Sequence, residues 1–294
     1  MRRLSLTLLL TTLPLLALAQ ASNEKAAACD RACLEGYVDN YLDALLAHQP
    51  ARLPLADDVR FTEDAVEMKL GAGGLWKTAA KLRPYRQDIL DVQQGIATSH
   101  VVIEEGVAPV LLSFRLKIAA GRITEIESMV VRNQKEGMIF EVAALTAATE
   151  PMNKVPPRAQ RNSRAEAIEM AQRYPAGLKI GSFVKSDVPF APGAYRFENG
   201  RRMAGPGCSF QPPSCENIKE QRIPTLAGIR HRVVAFDEEL GIVLLRMDFG
   251  PGSTFAGGDQ SLSVWEWFKV YDDQIHAVEA FMEVKPASGG SGWD

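Results

Sequence analysis

The two halves of the chain repeat one pattern of helix and strands, and this repeat constrains the fold more than any other feature. Apolar residues at helical spacing predict an amphipathic helix over residues 33–48 and a second short helix over 75–82. Strand-like segments separated by turn signals follow over 87–104, 110–118 and 122–131. In the second half a long helix is predicted after Ser163, because Glu166 completes a capping box. Strands are predicted after it over residues 229–237, 241–249, 263–271 and 274–284. The closing hairpins align, with Ile123, Ile126 and Glu127 opposite Ile275, Val278 and Glu279. The repeat therefore predicts two similar domains.

The segment between the two halves is polar and contains prolines, which is typical of an interdomain linker. Each half of the repeat then defines one domain. The expected organisation is a signal peptide over 1–21, a first domain over 29–148, a linker over 149–162, a second domain over 163–286 and a flexible tail over 287–294.

The N-terminus has the three parts of a secretory signal peptide. Two arginines precede an apolar run over residues 4–18, and a pattern of small residues follows over 17–21. A membrane anchor is the alternative, but the apolar run is shorter than the roughly 20 residues that span a bilayer. We therefore expect cleavage near Ala19 or Ala21, a secreted or periplasmic protein, and no membrane span in the mature chain.

Four cysteines remain after cleavage, in a compartment that permits disulfides. Four cysteines allow three pairings, and their grouping favours local ones, with Cys208 bonded to Cys215 around a Pro-Pro loop and Cys29 to Cys33 at the start of a helix. The spacing argues against a metal site, because neither pair is Cys-x-x-Cys and no histidine cluster accompanies them.

Composition and motifs exclude several functional classes. The chain is 46% hydrophobic and 23% charged, as in ordinary globular proteins, and its formal net charge is −3. Without a basic excess, a nucleic-acid partner is not expected. The sequence has no Gly-x-Ser-x-Gly elbow, Walker loop, His-Glu-x-x-His or Gly-x-Gly-x-x-Gly, and the glycines within 71–74 fit a plain turn. No cofactor is predicted.

Three local features carry a resemblance to a known superfamily. They are a short strand of the Arg-Phe-x-Glu type, a Gly-Leu-Trp turn at 74–76 and a Gly-x-Ile-x-x-Ile-Glu hairpin at 121–127. Together they resemble the nuclear-transport-factor-2-like superfamily, which includes ketosteroid isomerase, scytalone dehydratase and SnoaL-type polyketide cyclases. The run over residues 53–78 is similar to exported two-module members of this superfamily, which are mostly of unknown function.

The resemblance implies an α+β protein with two tandem cone-shaped domains. In each domain a curved antiparallel sheet would wrap around N-terminal helices and enclose an apolar cavity, which in this superfamily binds or transforms small molecules. A homodimer formed through the outer faces of the sheets is compatible with such a fold. A complete acid–base set of the isomerase or dehydratase type cannot be placed on this sequence, so the resemblance supports the fold more than a reaction.

Histidines and carboxylates supply the candidate acids and bases. A strand histidine facing a cavity could move protons near neutral pH, and an apolar pocket raises the pKa of a carboxylate towards the working pH. Glu63 and Glu198, and likewise Glu127 and Glu279, occur at matching places of the two halves. The alternatives are structural, because strand histidines are often hydrogen-bonded or exposed, and these repeated carboxylates could pair with a nearby backbone or with Arg60 and Arg196. The catalytic candidates are His231, Asp248, Glu198 and His100.

Aromatic residues of the second half supply a candidate binding wall for a small apolar or aromatic molecule. Strand alternation places Trp265 and Trp267 on one face, with Glu266 and Phe268 on the other. The two tryptophans could stack on a planar ligand, or they could fill the core or a domain interface. The ligand-binding candidates are Tyr195, Trp265, Trp267, His276, Trp76, Tyr85 and Glu63.

Two functions follow from these features. The first is an exported small-molecule-binding protein whose pocket supports cofactor-independent lyase, isomerase or hydratase chemistry through carboxylate and histidine groups. The alternative is a noncatalytic binding or protein-interaction module with filled pockets. The discriminating observation is a cavity that brings at least two titratable groups together.

Overall fold

The computed structural model of the protein describes residues 29–208, 215–226, 228–250, 258–286 and 292–293. The predicted signal peptide, most of the predicted tail and the Pro-Pro loop between Cys208 and Cys215 lie outside these residues. Within these ranges, no helix is both long and apolar enough to cross a membrane.

The first half of the chain forms one long helix, two short helices and six strands. In chain order these are α1 (Arg31–Leu46), β1 (Leu55–Glu63), β2 (Val66–Glu67), α2 (Leu75–Thr78), β3 (Ala79–Asp91), β4 (Ile96–Glu105), β5 (Ala108–Ala119), β6 (Arg122–Val131) and α3 (Gln134–Gly137).

The second half repeats this order after a short helix in the connecting segment. Its elements are α4 (Glu150–Asn153), α5 (Arg164–Ile180), β7 (Phe190–Glu198), β8 (Arg201–Ala204), β9 (Ile229–Asp237), β10 (Ile242–Phe249), β11 (Gln260–Tyr271) and β12 (Gln274–Pro286). The capping box predicted at Ser163 and Glu166 is confirmed at the start of α5.

The two halves build two six-stranded sheets with the same strand order. The first sheet runs β2-β1-β6-β5-β4-β3, and the second runs β8-β7-β12-β11-β10-β9. The sheets were expected to be antiparallel, but each contains one parallel pair, β1 with β6 and β7 with β12. This pair arises because the first strand of each half lies beside its last strand and runs in the same direction.

Two local expectations differ from the structure. The helix predicted over residues 75–82 ends at Thr78, because the chain from Ala79 onwards is extended as β3 and pairs with β4. The strand segment predicted over residues 87–104 is a hairpin that turns before Ile96, where Gly95 has a φ of +60°.

The helices and sheets form four layers. Buried residues of α1 pack on one face of the first sheet, and buried residues of α5 pack on one face of the second. A third apolar cluster, which includes Val102, Met129, Trp265 and Phe281, joins the remaining faces of the two sheets. We call the face of each sheet that packs on a helix its helix face and the other its interface face. Since both faces are buried, a strand such as β10 is buried at every residue.

Two aspartates at equivalent strand ends connect the halves reciprocally. Asp237 ends β9 and accepts hydrogen bonds from Arg31 Nη1 at 2.8 Å and from Leu90 N at 3.0 Å. Asp91 ends β3 and accepts from Arg164 Nη2 at 2.6 Å and from Phe236 N at 2.9 Å. Each arginine begins the long helix of its own half, and each amide donor immediately precedes the other aspartate. Each half thus contributes the same three groups to the contact, an arginine, a backbone amide and an aspartate. The contact has the symmetry of an interface between the subunits of an isologous dimer.

The cysteines form the two local pairs that their grouping favoured. Cys29 and Cys33 have Cα atoms 5.3 Å apart, and Cys208 and Cys215 have Cα atoms 5.9 Å apart, with both pairs bonded. The first pair fixes the start of α1, and the second closes the loop that follows β8.

The reciprocal aspartates generate a stability prediction. Asp237→Ala should lower the free energy of unfolding by on the order of 3 kcal/mol, because Arg31 and the Leu90 amide lose a fully buried acceptor. Urea unfolding measures this loss. Asp43→Ala, which removes an exposed aspartate of α1, should stay within about 0.5 kcal/mol of the wild type. A loss below about 1 kcal/mol for Asp237→Ala would contradict this role.

Candidate functional site

A cavity of about 380 Å³ lies between α5 and the helix face of the second sheet. Most of its wall is apolar, and β10, β11, β12 and α5 contribute residues such as Phe249, Leu262, Met282 and Leu178. Polar side chains enter the wall from β7, β11 and α5. This combination of an apolar concavity with a few convergent polar groups is typical of small-molecule sites.

Strand alternation and register bring two carboxyl groups into this cavity. Glu198 on β7 pairs with Ala280 on β12, and Ala280 pairs with Glu266 on β11. Paired residues share a face, so both glutamates point to the helix face. They lie two strand spacings apart, about 10 Å between backbones. The small side chain of Ala280 leaves open the space between them.

An arginine and a tyrosine join the two glutamates. Arg196 Nε lies 2.8 Å from Glu198 Oε1, and Arg196 Nη1 donates a hydrogen bond of 3.1 Å to the Tyr174 hydroxyl. Tyr174 and Glu266 both line the cavity, and the Tyr174 hydroxyl stabilises the ionised form of the Glu266 carboxyl. Arg196 has only 6% of its surface exposed and Glu266 only 3%. The four side chains therefore form one connected polar group in an apolar surrounding.

Burial gives the members of this polar group different protonation states. Loss of solvent raises the pKa of Glu266 from 4.5 to about 8, and the nearby Arg196 and the hydrogen bond from Tyr174 reduce this rise only in part. Burial also raises the pKa of Tyr174, so its hydroxyl keeps its proton. Burial opposes the charge of Arg196, but interactions with Tyr174, Glu198 and Glu266 outweigh this effect and raise its pKa, so the guanidinium stays charged. At neutral pH the group thus holds a protonated Glu266 beside a cationic arginine.

One wall of the cavity comes from the segment that follows the first sheet. Met138 and Ile139 line the cavity, and Asn199 holds their segment by donating to the carbonyls of Gly137 at 3.1 Å and Ile139 at 2.9 Å. Gly137 is required there, because a Cβ would lie 2.5 Å from Asn199 Nδ2. The segment is therefore fixed against the second sheet.

The first sheet has the same register, and there aromatic residues occupy the positions that correspond to Glu266 and Arg196 of the second sheet. Glu63 pairs with Ser128, which pairs with Phe114, so Phe114 occupies the place of Glu266. By the same pairing, Phe61 occupies the place of Arg196. Tyr41 of α1 packs on Phe114 with ring centroids 4.4 Å apart and on Trp76 at 5.5 Å. In the first half, aromatic rings therefore fill the space that corresponds to the cavity and its charged residues in the second half.

Of the four predicted catalytic residues, the structure places Glu198 in the cavity wall. Asp248 accepts hydrogen bonds from Arg246 at 3.2 Å and Ser263 at 2.9 Å and does not line the cavity. His231 is half-buried on β9 near Lys179, also outside the cavity wall.

The fourth, His100, is buried between the sheets. Its ring stacks on Trp267 at 3.7 Å and on Phe281 at 4.5 Å between centroids, and neither ring nitrogen has a hydrogen-bond partner in the part of the chain that the structure describes. Burial lowers the pKa of His100 well below 6.5. The ring therefore packs as a neutral aromatic.

Most predicted ligand-binding residues also lie away from the cavity. Trp265, Trp267, Tyr85 and Tyr195 all belong to the cluster between the sheets. The hydroxyl of Tyr195 donates a hydrogen bond of 2.9 Å to Glu279. The alternation was assigned correctly, but the face with the tryptophans is the interface face.

The last three predicted ligand-binding residues have structural contacts. His276 stacks on Tyr271 with ring centroids 3.6 Å apart. Trp76 fills the first half against Tyr41. Glu63 accepts from the amide of Leu75 at 3.0 Å and pairs with Arg132 at 3.2 Å. Within the described ranges, no three His, Cys, Asp or Glu side chains are grouped so that they could hold a metal ion.

Three residues of the site were not among the candidates: Glu266, Arg196 and Tyr174. The available signal was Glu266 itself, a single carboxylate within the apolar strand Val264–Tyr271. A charge in a strand that is buried on both faces needs a partner or a function.

Comparisons with known proteins match the half of the chain that holds the cavity. A family model described as a domain of unknown function (DUF8021) matches residues 160–282. No curated protein matches the chain.

Solved structures similar to this chain each cover about one third of it. A de novo designed protein with a curved β-sheet is 17% identical, with 36% of this chain and 91% of that chain covered and a TM-score of 0.30. A protein described as a polyketide cyclase from Sinorhizobium meliloti is 21% identical, with coverage of 32% and 93% and a TM-score of 0.26. An LEH-like epoxide hydrolase from M. tuberculosis is 16% identical, with coverage of 33% and 81% and a TM-score of 0.25.

The raised pKa of Glu266 predicts a pH-dependent stability. The unfolded chain ionises this group near pH 4.5, whereas the folded chain keeps its proton to about pH 8, so its contribution to stability is lost as pH rises through this window. Glu266→Gln removes this dependence. In urea unfolding, the free energy of unfolding of Glu266→Gln relative to that of the wild type should rise with pH, by at most about 1.4 kcal/mol per pH unit between pH 5 and pH 8. The exposed control Glu238→Gln should give a flat difference, and a flat difference for Glu266→Gln would exclude the raised pKa.

The buried His100 predicts the opposite dependence. Because the unfolded chain binds a proton near pH 6.5 and the folded chain does not, His100 costs stability as pH falls below 6.5. His100→Phe keeps a ring between Trp267 and Phe281 and removes the proton site. Thermal and urea unfolding should show its stability relative to the wild type rising by about 2 kcal/mol between pH 7.5 and pH 5. An unchanged difference would mean that His100 is protonated in the folded protein.

Proposed function

We propose that this chain is an exported protein whose second half, over residues 163–286, binds a small apolar carbonyl compound and catalyses proton transfer next to the carbonyl group without a cofactor. The observation that carries the proposal is the cavity in which Glu266, buried and protonated, lies with Tyr174, Arg196 and Glu198. The two bonded cysteine pairs support export, because disulfides persist in oxidising compartments.

The environments of the two glutamates suit them to different roles. Glu266 is neutral at pH 7 and, with Tyr174, can donate a hydrogen bond or a proton to a carbonyl oxygen. Glu198 is ion-paired with Arg196 and is the carboxylate that accepts a proton from the carbon next to the carbonyl. Pairs of carboxyl groups whose environments separate their protonation states commonly divide acid and base roles in this way.

The reaction proceeds through an enol or enolate. The C–H bond breaks, its proton goes to Glu198, and the electron pair moves into the carbonyl group, whose oxygen accepts a proton or hydrogen bond from Glu266. Arg196 stabilises the negative charge on that oxygen. Return of the proton from Glu198 to another carbon of the conjugated enol gives isomerisation. In an elimination, a hydroxyl on the next carbon departs with the electron pair of its C–O bond, takes the proton held by Glu198 and leaves as water. The residues of the cavity support both outcomes.

Deuterium exchange tests this function directly. With 2-tetralone as the probe in deuterated buffer, proton NMR should show that the wild type accelerates exchange of the hydrogens next to the carbonyl group. Glu266→Gln and Glu198→Gln should each lower this rate by about 100-fold or more, the size expected for loss of an acid or base. The exposed control Glu238→Gln should keep the wild-type rate.

The alternative is a noncatalytic binding module. Binding of 2-tetralone without any exchange above the rate in buffer would establish that alternative. Exchange that is as fast in Glu266→Gln as in the wild type would exclude Glu266 as the acid.

A further inference from the structure

The wall of the cavity carries more positive charge than the net charge of the protein would suggest. Arg196, Arg201 and Arg222 line the cavity, against Glu198 and Glu266. Glu198 balances Arg196, and Arg201 pairs with Glu141 at 3.4 Å. The chain as a whole is acidic, with a formal charge of −3. The excess positive charge at the mouth is therefore local to the cavity.

Arg222 is the source of this excess. It is exposed, and among the described residues it has no hydrogen-bond or ion-pair partner. Its neighbours hold it in place, because Gln221 donates to the carbonyl of Met203 at 3.0 Å and the amide of Leu226 donates to the carbonyl of Leu178 at 3.0 Å. The segment Gln221–Leu226 therefore runs from β8 to α5, and Arg222 within it lines the cavity.

We propose that the ligand is an amphiphilic organic acid whose carboxylate binds Arg222 at the mouth while its apolar body and carbonyl group occupy the cavity. This substrate class rests on the function proposed above. An arginine binds a carboxylate through two parallel hydrogen bonds, which sets orientation as well as affinity. The deep end is less suited to a carboxylate, because Glu198 is already there as the anion paired with Arg196. The acid group therefore stays at the mouth, and the carbonyl group reaches Glu266.

The test uses a neutral reporter and a matched pair of competitors. N-phenyl-1-naphthylamine reports occupation of the cavity by its fluorescence, and it is displaced by 1-naphthaleneacetate or by the uncharged 1-naphthaleneacetamide. In the wild type, the acetate should displace the reporter at about one tenth of the concentration that the amide needs. In Arg222→Gln this ratio should fall to about one. The control Arg158→Gln removes an exposed arginine that does not line the cavity, and it should keep the tenfold ratio.

Cavity-filling variants separate failure of this inference from failure of the proposed function. Ala280→Phe or Val264→Phe, checked for folding by near-ultraviolet circular dichroism, should abolish reporter binding. If the reporter does not bind, or binds equally to these variants, both proposals are overturned. If the variants abolish binding but acetate and amide displace equally in the wild type, or Arg222→Gln keeps the wild-type ratio, the cavity remains a binding site and the carboxylate assignment is overturned.

Discussion

The burial of both faces of each sheet governs the rest of the structure. One face packs on a long helix and the other on the second sheet, so the strands have no solvent side along most of their length. Polar groups placed on these strands must find partners inside the protein. Between the sheets they do so as reciprocal aspartates, and on the helix face of the second sheet they form the group of Arg196, Glu198, Glu266 and Tyr174.

Much of the fold could be predicted from the sequence, because periodicity and turn residues act locally. The capping box at Ser163 and the limits of β6 and β9 match the structure, and the aligned closing hairpins indicated the repeated sheet. The parallel strand pairs could not be predicted, since they join the first and last strands of each half and leave no local signal. The hairpin turn before Ile96 was missed although the polar run Gln93-Gln94-Gly95 interrupts the apolar pattern there and is itself a turn signal.

The candidate site was harder to predict, because alternation separates two faces without saying which one encloses a cavity. Trp265 and Trp267 were correctly assigned to one face, and Glu266 to the other. In a protein with one buried face, the tryptophans would mark the pocket side. Here both sides are buried, so aromatic content marks the contact between sheets and the isolated carboxylate marks the cavity. Glu198 was found because it repeats Glu63, whereas Arg196 and Glu266 have no charged counterparts, since Phe61 and Phe114 occupy the equivalent positions.

The wall formed by Met138 and Ile139 makes the cavity of the second half depend on residues that follow the first sheet. These residues follow the first sheet, yet Asn199 of the second half holds them against the cavity. A fragment limited to residues 160–282 would contain all four polar residues of the site and still have a cavity open on one side. The half filled with aromatic rings thus completes the cavity of the other half, so the shape of that cavity depends on both copies of the repeat.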